Sequence, residues 1–379
     1  MVCNNYGSTL LDFWGDSRMN IQDILFIVIS VIMGTIALAL FGIVFGLLYK
    51  GIDRKISAHM QGRIGPPIIQ PFRDVRKLFT KENIVPENAI PWIFNLAPVI
   101  GLIASIALLL YVPIGGFDPL ASGLIGSSIV FGDLILILYL LIIPSLAMVI
   151  GGFASGSPYA TVGAQREMAT MIAYEFPLAI IIVSFAWLLG NSTVGESLPH
   201  VFSITTITAN PIWMSVGILG FIGAIILLLV LVLVTPAELS KIPFDSPEAE
   251  TEIAGGLFTE YSGRNLGLFY LADGVKTIVM ATIVVALFFP WTFSDLIPVL
   301  QDTAWLAIIA NILFYLLKIF LVILFSVTLI RVAIARLKID QIVYTYWVWI
   351  TLMALVGLIL IMWDRQFGLQ TIASIMGLT

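Results

Sequence analysis

The stretch IWMSVGILGFIGAIILLLVLVLVTP (Ile212–Pro236) runs without a charged residue and passes directly into AELSKIPFDSPEAETEIAGGLFTEYSGRN (Ala237–Asn265). A bilayer core about 30 Å thick needs roughly 20 apolar residues to cross it as a helix. The first segment meets that requirement. The second cannot lie in lipid, because it carries six carboxylates: Glu238, Asp245, Glu248, Glu250, Glu252 and Glu260. Its basic residues are Lys241 and Arg264. A spanning helix that opens into an acidic loop is the unit from which the rest of the chain is read.

Working outward, seven more apolar runs stand at about 24–48, 91–112, 129–153, 169–190, 266–290, 304–330 and 345–363. The chain has 379 residues, of which 60% are hydrophobic and 11% charged. A water-soluble domain carries about 25% charged residues, so this composition excludes an ordinary globular enzyme and a disordered chain. A net charge of −5 offers no basic footprint for nucleic acid. The fold expected is an all-α membrane protein, with about eight transmembrane helices in one bundle. Residues 1–23 form a polar N-terminal extension that does not read as a cleavable signal, and 24–379 form the membrane domain. No internal repeat is visible, which weighs against a stand-alone secondary transporter.

Basic residues sit in the loops after spans one, three, five and seven, and the loops after spans two, four and six hold none. The positive-inside rule then puts the odd loops in the cytoplasm. One cysteine, Cys3, excludes an internal disulfide and a cysteine-ligated iron–sulfur cluster within this chain. Two histidines, His59 and His200, leave little for a haem or metal site. The expectation is that the chain holds no cofactor and no redox centre of its own.

The first cytoplasmic loop contains RIGPPIIQPFRDVRKLFTKE (Arg63–Glu82). Gly65, Pro66 and Pro67 suggest a tight turn, since proline cannot continue a helix. After Pro71, the spacing puts Phe72, Val75 and Phe79 on one face and mainly basic residues on the other. This predicts a short amphipathic helix in the membrane interface. Such a loop suits attraction to anionic lipid or docking of a cytoplasmic partner. The rigid proline turn favours docking, because lipid attraction needs no fixed geometry.

Charged residues inside the spans are costly and must face protein, water or each other. They are Asp133, Glu175, Asp273, Lys276 and Lys318. Asp273 and Lys276 stand three apart on one helix and could pair locally. Glu175 has no partner nearby in sequence, and Pro177 follows it, so it is the foremost candidate for a proton site. In the acidic loop, a helical reading puts Glu248 and Glu252 on one face. Crowded, partly buried carboxylates there would raise one another's pKa and exchange protons near neutrality.

Four stretches resemble the family of respiratory complex I subunit 1 and its relatives in membrane-bound, energy-converting nickel–iron hydrogenases. Arg63–Glu82 resembles the family pattern R-x-G-P…Q-P…D-x-x-K-L-x-x-K-E. Ala173-Tyr174-Glu175 resembles its S-Y-E. Ala237–Gly263 resembles the acidic stretch E-x-x-R-x-P-F-D…E-x-E-x-E…E-Y-S-G. Arg336-Leu337-Lys338-Ile339-Asp340-Gln341 resembles R-L-R-x-D-Q.

The resemblance implies the membrane-anchor and proton-coupling subunit of a redox-driven ion pump in a prokaryotic plasma membrane. Its partners would be a large catalytic subunit, a small iron–sulfur subunit and antiporter-like membrane subunits. Iron–sulfur clusters and, in the hydrogenase branch, a nickel–iron centre would belong to those partners. By motif position, Glu238, Asp245, Glu248, Glu250, Glu252 and Glu260 would form a proton funnel, with Glu175 within the membrane. A change there would pass to Asp273, Lys276 and Lys318 among the charges inside the spans, and Asp133 could simply lie at the outer interface. Arg63, Gly65, Pro66, Pro67, Gln70, Pro71, Asp74, Lys77, Lys81, Glu82, Lys241, Arg336 and Asp340 would face the docked arm. Pro67 stands where the quinone-reducing branch usually has asparagine, and Lys241 where it has arginine. Both departures favour a hydrogenase-like or ferredoxin-linked complex over a quinone or phenazine reductase.

Overall fold

The computed structural model describes residues 21–114, 134–190, 201–297 and 304–366, and among them eight helices are long and apolar enough to cross a membrane. The chain is a multi-pass membrane protein. Nine of the described helices position the site: α1 (Ile21–Met60), α2 (Gln70–Thr80), α3 (Pro91–Tyr111), α4 (Leu134–Ala154), α5 (Pro158–Gly190), α6 (Ile218–Glu238), α7 (Gly263–Phe288), α8 (Ala304–Ile323) and α9 (Ile339–Tyr344). Helix α8 continues through a π-helical turn, Leu324–Thr328, into Leu329–Ala333. Helix α9 likewise passes through Thr345–Ile350 into Thr351–Gln366.

Helix α7 is the axis. Its most apolar window is 94% buried, against 17% for that of α8. It touches α1, α2, α3, α6 and α8. Apolar side chains do not drive helices together in lipid, so close backbone approach matters. Gly46 on α1 meets Gly274 on α7, where an added Cβ would stand 2.5 Å from the Gly274 carbonyl oxygen. Gly223 on α6 meets Gly357, on the continuation of α9, in the same way, with 2.8 Å left to the Gly357 carbonyl oxygen.

Several expected boundaries move. Helix α1 runs on to Met60, so Lys50, Arg54 and Lys55 are helical rather than in a loop. Helix α5 starts at Pro158 rather than near 169. The run from Ile212 splits into a short turn, Ile212–Ser215, and α6 from Ile218, with Gly217 between them. The tight turn expected at Gly65 lies earlier, at Gly62 (φ +70°), which ends α1 through Arg63 N–H to Ala58 O (2.8 Å) and Gly62 N–H to His59 O (3.0 Å). From Ile64 to Pro67 the chain has no regular structure. The amphipathic segment is indeed helical, as α2, and it touches α1 and α7. Residues 1–20 and Asp133 lie outside the described residues.

Candidate functional site

The acidic loop is not one helix. It consists of three short turns, Ser246–Glu248, Glu250–Ile253 and Gly256–Phe258, separated by Ala249 in extended backbone and by Ala254 and Gly255 in left-handed backbone. Glu248 and Glu252 therefore do not share a helix face. Glu252 instead takes the Arg166 guanidinium of α5 at 2.6 Å, and Arg166 also donates to Ser246 O at 3.3 Å. Below the loop, the segment after α8 acts as a strap. Arg336 pairs with Asp245 at 2.5 Å, and Leu337 N–H donates to Pro243 O at 3.1 Å. Phe244 stacks edge-on against Tyr346 at 5.2 Å.

The loop closes one side of a cavity of about 380 Å³. Its carboxylates come from Asp53, Glu238, Asp245, Glu248, Glu250 and Asp273, and its cations from Lys50, Arg54, Lys241, Lys276 and Arg331. Most of these charges are arranged in matched pairs. Asp273 accepts from Lys50 at 2.7 Å and from Lys241 at 2.6 Å. Asp53 accepts from Arg331 at 3.0 Å and from the Thr328 hydroxyl at 2.7 Å. Lys50 also donates to Tyr270 O (2.8 Å) and lies 3.7 Å from the centre of the Tyr270 ring. The local Asp273–Lys276 pair does not form. Lys276, about 60° further round α7, meets Glu238 at 2.8 Å instead.

That last contact begins a buried polar run across four helices. Glu238 on α6 is 2% exposed and Lys276 3%. Lys276 donates to the Ser145 hydroxyl of α4 at 2.7 Å, which lies 3.5 Å from the Tyr174 hydroxyl of α5. Glu167, on the Tyr174 side of α5, is 1% exposed and faces the Ser240 hydroxyl, 3.4 Å from both carboxylate oxygens. Ser240 can aim there because it follows α6 in a left-handed conformation (φ +47°), a place glycine usually takes. Glu175 is half-buried beside Tyr174, and its Oε1 has no hydrogen-bond partner among the described residues.

Glu248 is half-buried over the cavity. Burial pushes its carboxyl up to about 7. The Lys241 ammonium pulls it down, while Asp273, Glu167 and Asp245 push it up. Lys241 is raised above the usual lysine range, because its attraction to Asp273 and Glu248 outweighs burial. At neutral pH the loop thus presents one carboxyl poised to gain or lose a proton beside a fixed cation.

Of the other residues read from sequence, Glu250 lines the cavity and is exposed, whereas Glu260 is half-buried outside it. Lys318 lies apart, donating to Phe289 O and Trp291 O beyond the end of α7. On the loop-one side, Arg63, Pro66, Pro67, Lys77, Lys81 and Glu82 are exposed and Gly65 is half-buried. Pro71 is buried, and Gln70 donates to Asp74, which also takes Arg54 at 3.2 Å. Asp340 is exposed in the first turn of α9. Sequence reading missed Glu167. The signal was present, because positions 167, 171, 174 and 178 fall on one helical face once α5 is allowed to start at Pro158.

A family model described as NADH dehydrogenase matches residues 31–362. The H subunit of the F420H2 dehydrogenase of Methanosarcina mazei is 32% identical over 332 residues, which cover 83% of this chain and 88% of that protein. The H subunit of the NADH-quinone oxidoreductase of Anaplasma phagocytophilum is 30% identical over 83% of this chain and 91% of that one. Among solved structures, a chain of the membrane-bound sulfane sulfur reductase, an archaeal respiratory membrane complex, superposes with a TM-score of 0.72 at 28% identity. That alignment covers 87% of this chain and 99% of the other. Two of these relatives are named as H subunits and the third belongs to a membrane complex, so other subunits are expected here too. The polar run and the charged cavity thus sit in a fold shared along most of its length, and the chain belongs to the NADH dehydrogenase family, among its H-type membrane subunits.

Proposed function

We propose that this chain anchors a hydrophilic electron-transfer arm to the membrane and couples its redox chemistry to ion movement. The observation that carries the reading is the run Glu238–Lys276–Ser145–Tyr174, which starts at the charged cavity and ends beside Glu167 and Glu175 within the helix bundle. Buried ionisable groups in a membrane bundle mark ion or proton pathways. Glu248 exchanges protons at the cavity rim. The paired carboxylates and lysines shift partners as the local field changes, and Glu175 passes the change to neighbouring antiporter-like subunits.

In this reading the exposed basic side of α2, the segment from Arg63 to Pro67 and the acidic loop face the catalytic and iron–sulfur subunits on the cytoplasmic side of a prokaryotic plasma membrane. Those partners hold the iron–sulfur clusters. Pro67 and Lys241 favour a hydrogenase-like or ferredoxin-linked complex. Quinone or phenazine reduction is the second reading, supported by the similarity to a subunit of an NADH-quinone oxidoreductase.

The test is purification from native membranes in mild detergent, with metal and flavin analysis of what accompanies the chain. Nickel with iron supports the hydrogenase-like branch. Iron without nickel supports a quinone, phenazine or sulfur-reducing relative. A chain that purifies alone, with no metal-bearing partner, overturns the proposal.

A further inference from the structure

Lys318 is charged and half-buried in a membrane-spanning helix, but it is not matched as the other inward-facing lysines are. Lys50 and Lys276 each meet a carboxylate within 2.8 Å. Among the described residues, Lys318 meets two carbonyl oxygens, of Phe289 and Trp291, each at 2.8 Å, and the Phe314 ring at 5.0 Å. The Phe289 carbonyl stands at the negative end of the α7 dipole, and both carbonyls orient the ammonium, but they supply no net charge. Asp295, the neighbouring acid, is not within ion-pair distance. Its Oδ2 accepts from the Thr292 backbone N–H at 2.8 Å and from the Thr292 hydroxyl at 2.7 Å. An ammonium has three hydrogens to donate, so one is left without an acceptor among the described residues.

Two cavities meet at this side chain. One, of about 230 Å³, is polar and is lined by Thr208, Thr292, Asp295 and Tyr315. The other, of about 490 Å³, is an apolar groove between α6, α7 and α8, lined by Val232, Val284, Leu321 and Phe325. Lys318 borders both. The groove opens on α8, the least covered of the spanning helices, where Leu321 and Phe325 are exposed. Trp291 lines it, and tryptophan marks the headgroup level of a bilayer. A cation beside that tryptophan, with a polar recess on one side and an apolar groove on the other, has the form of an amphiphile site.

We propose that Lys318 and the groove between α6, α7 and α8 bind one anionic phospholipid, its phosphate on the Lys318 ammonium and an acyl chain along Val232 and Leu321. The lipid supplies a counter-charge that no described residue provides within ion-pair distance of Lys318, and it seals the seam between α8 and the rest of the bundle.

The test uses the full chain, within its complex, reconstituted in nanodiscs of equimolar phosphatidylglycerol and phosphatidylcholine and released for native mass spectrometry. One phosphatidylglycerol should remain per chain, in preference to phosphatidylcholine. Lys318→Gln should reduce that retention by about fivefold or more, the factor of one interfacial lysine toward an anionic lipid. Lys318→Arg should preserve it. Leu321→Trp, which fills the groove from an exposed position and leaves the ammonium intact, should also expel the lipid. Equal retention of both lipids, or unchanged retention in Lys318→Gln or Leu321→Trp, overturns the proposal. So does crosslinking of position 321 to a helix of another subunit in place of lipid.

Discussion

The Glu238–Lys276 pair permits a quantitative forecast. Both side chains are almost fully buried, and they meet at 2.8 Å. Their environments differ. Lys276 also donates to Ser145 at 2.7 Å, whereas the described contacts of the Glu238 carboxylate consist of Lys276 alone. Lys276→Met therefore strands a buried carboxylate, a case that costs about 3–5 kcal/mol. Glu238→Gln leaves the ammonium with the Ser145 hydroxyl and an amide oxygen, so its cost is nearer to about 1–3 kcal/mol. Replacing both together, as Glu238→Gln with Lys276→Met, removes both charges and their desolvation cost at once. That double variant should come within about 1–2 kcal/mol of the parent. The assay is unfolding of the purified chain in mixed micelles, titrated with a denaturing detergent, across the full double-mutant cycle. Single-variant costs that simply add, with a coupling energy near zero, would refute the view that these two side chains act as a buried unit.

Other forecasts are simpler. Glu248 keeps its proton to about pH 7 in the folded protein and to about 4.3 in an unfolded chain. Between those values the folded state binds more protons, so stability falls as pH rises, by up to about 3 kcal/mol. Melting at pH 5 and pH 8 should show that loss in the parent and little of it in Glu248→Gln. Arg336→Ala removes the strap from Asp245, whose other oxygen is already buried without a partner among the described residues. Amide exchange across residues 243–253 should quicken about tenfold, equivalent to roughly 1.4 kcal/mol. Gly46→Ala drives a methyl group into the Gly274 carbonyl and should cost about 1–3 kcal/mol in the same unfolding titration.

The spanning helices were legible because a bilayer imposes a length and a composition that no loop can imitate. Their ends were not, because a helix can continue into water on ordinary polar residues. Helix α1 carries Lys50, Arg54 and Lys55 beyond its apolar run, and α5 begins well before its own. The titratable residues of the cavity were legible as types, since carboxylates and lysines in or beside spans must be gathered inside the protein. Their pairings were not. Asp273 and Lys276 project about 60° apart on α7, which sends one toward α1 and the acidic loop and the other toward α6. The Lys50–Asp273 contact joins residues far apart in the chain, and no local spacing encodes it. The acidic loop misled for another reason. Its charges read as helical, but left-handed backbone at Ala254 and Gly255 breaks it into single turns.

The most direct test of the coupling role is the number of ions moved per electron by the reconstituted complex carrying Glu175→Gln. If Glu175 carries the coupling, electron transfer to a soluble acceptor stays near the parent rate while ions per electron fall sharply. An unchanged ratio would contradict it.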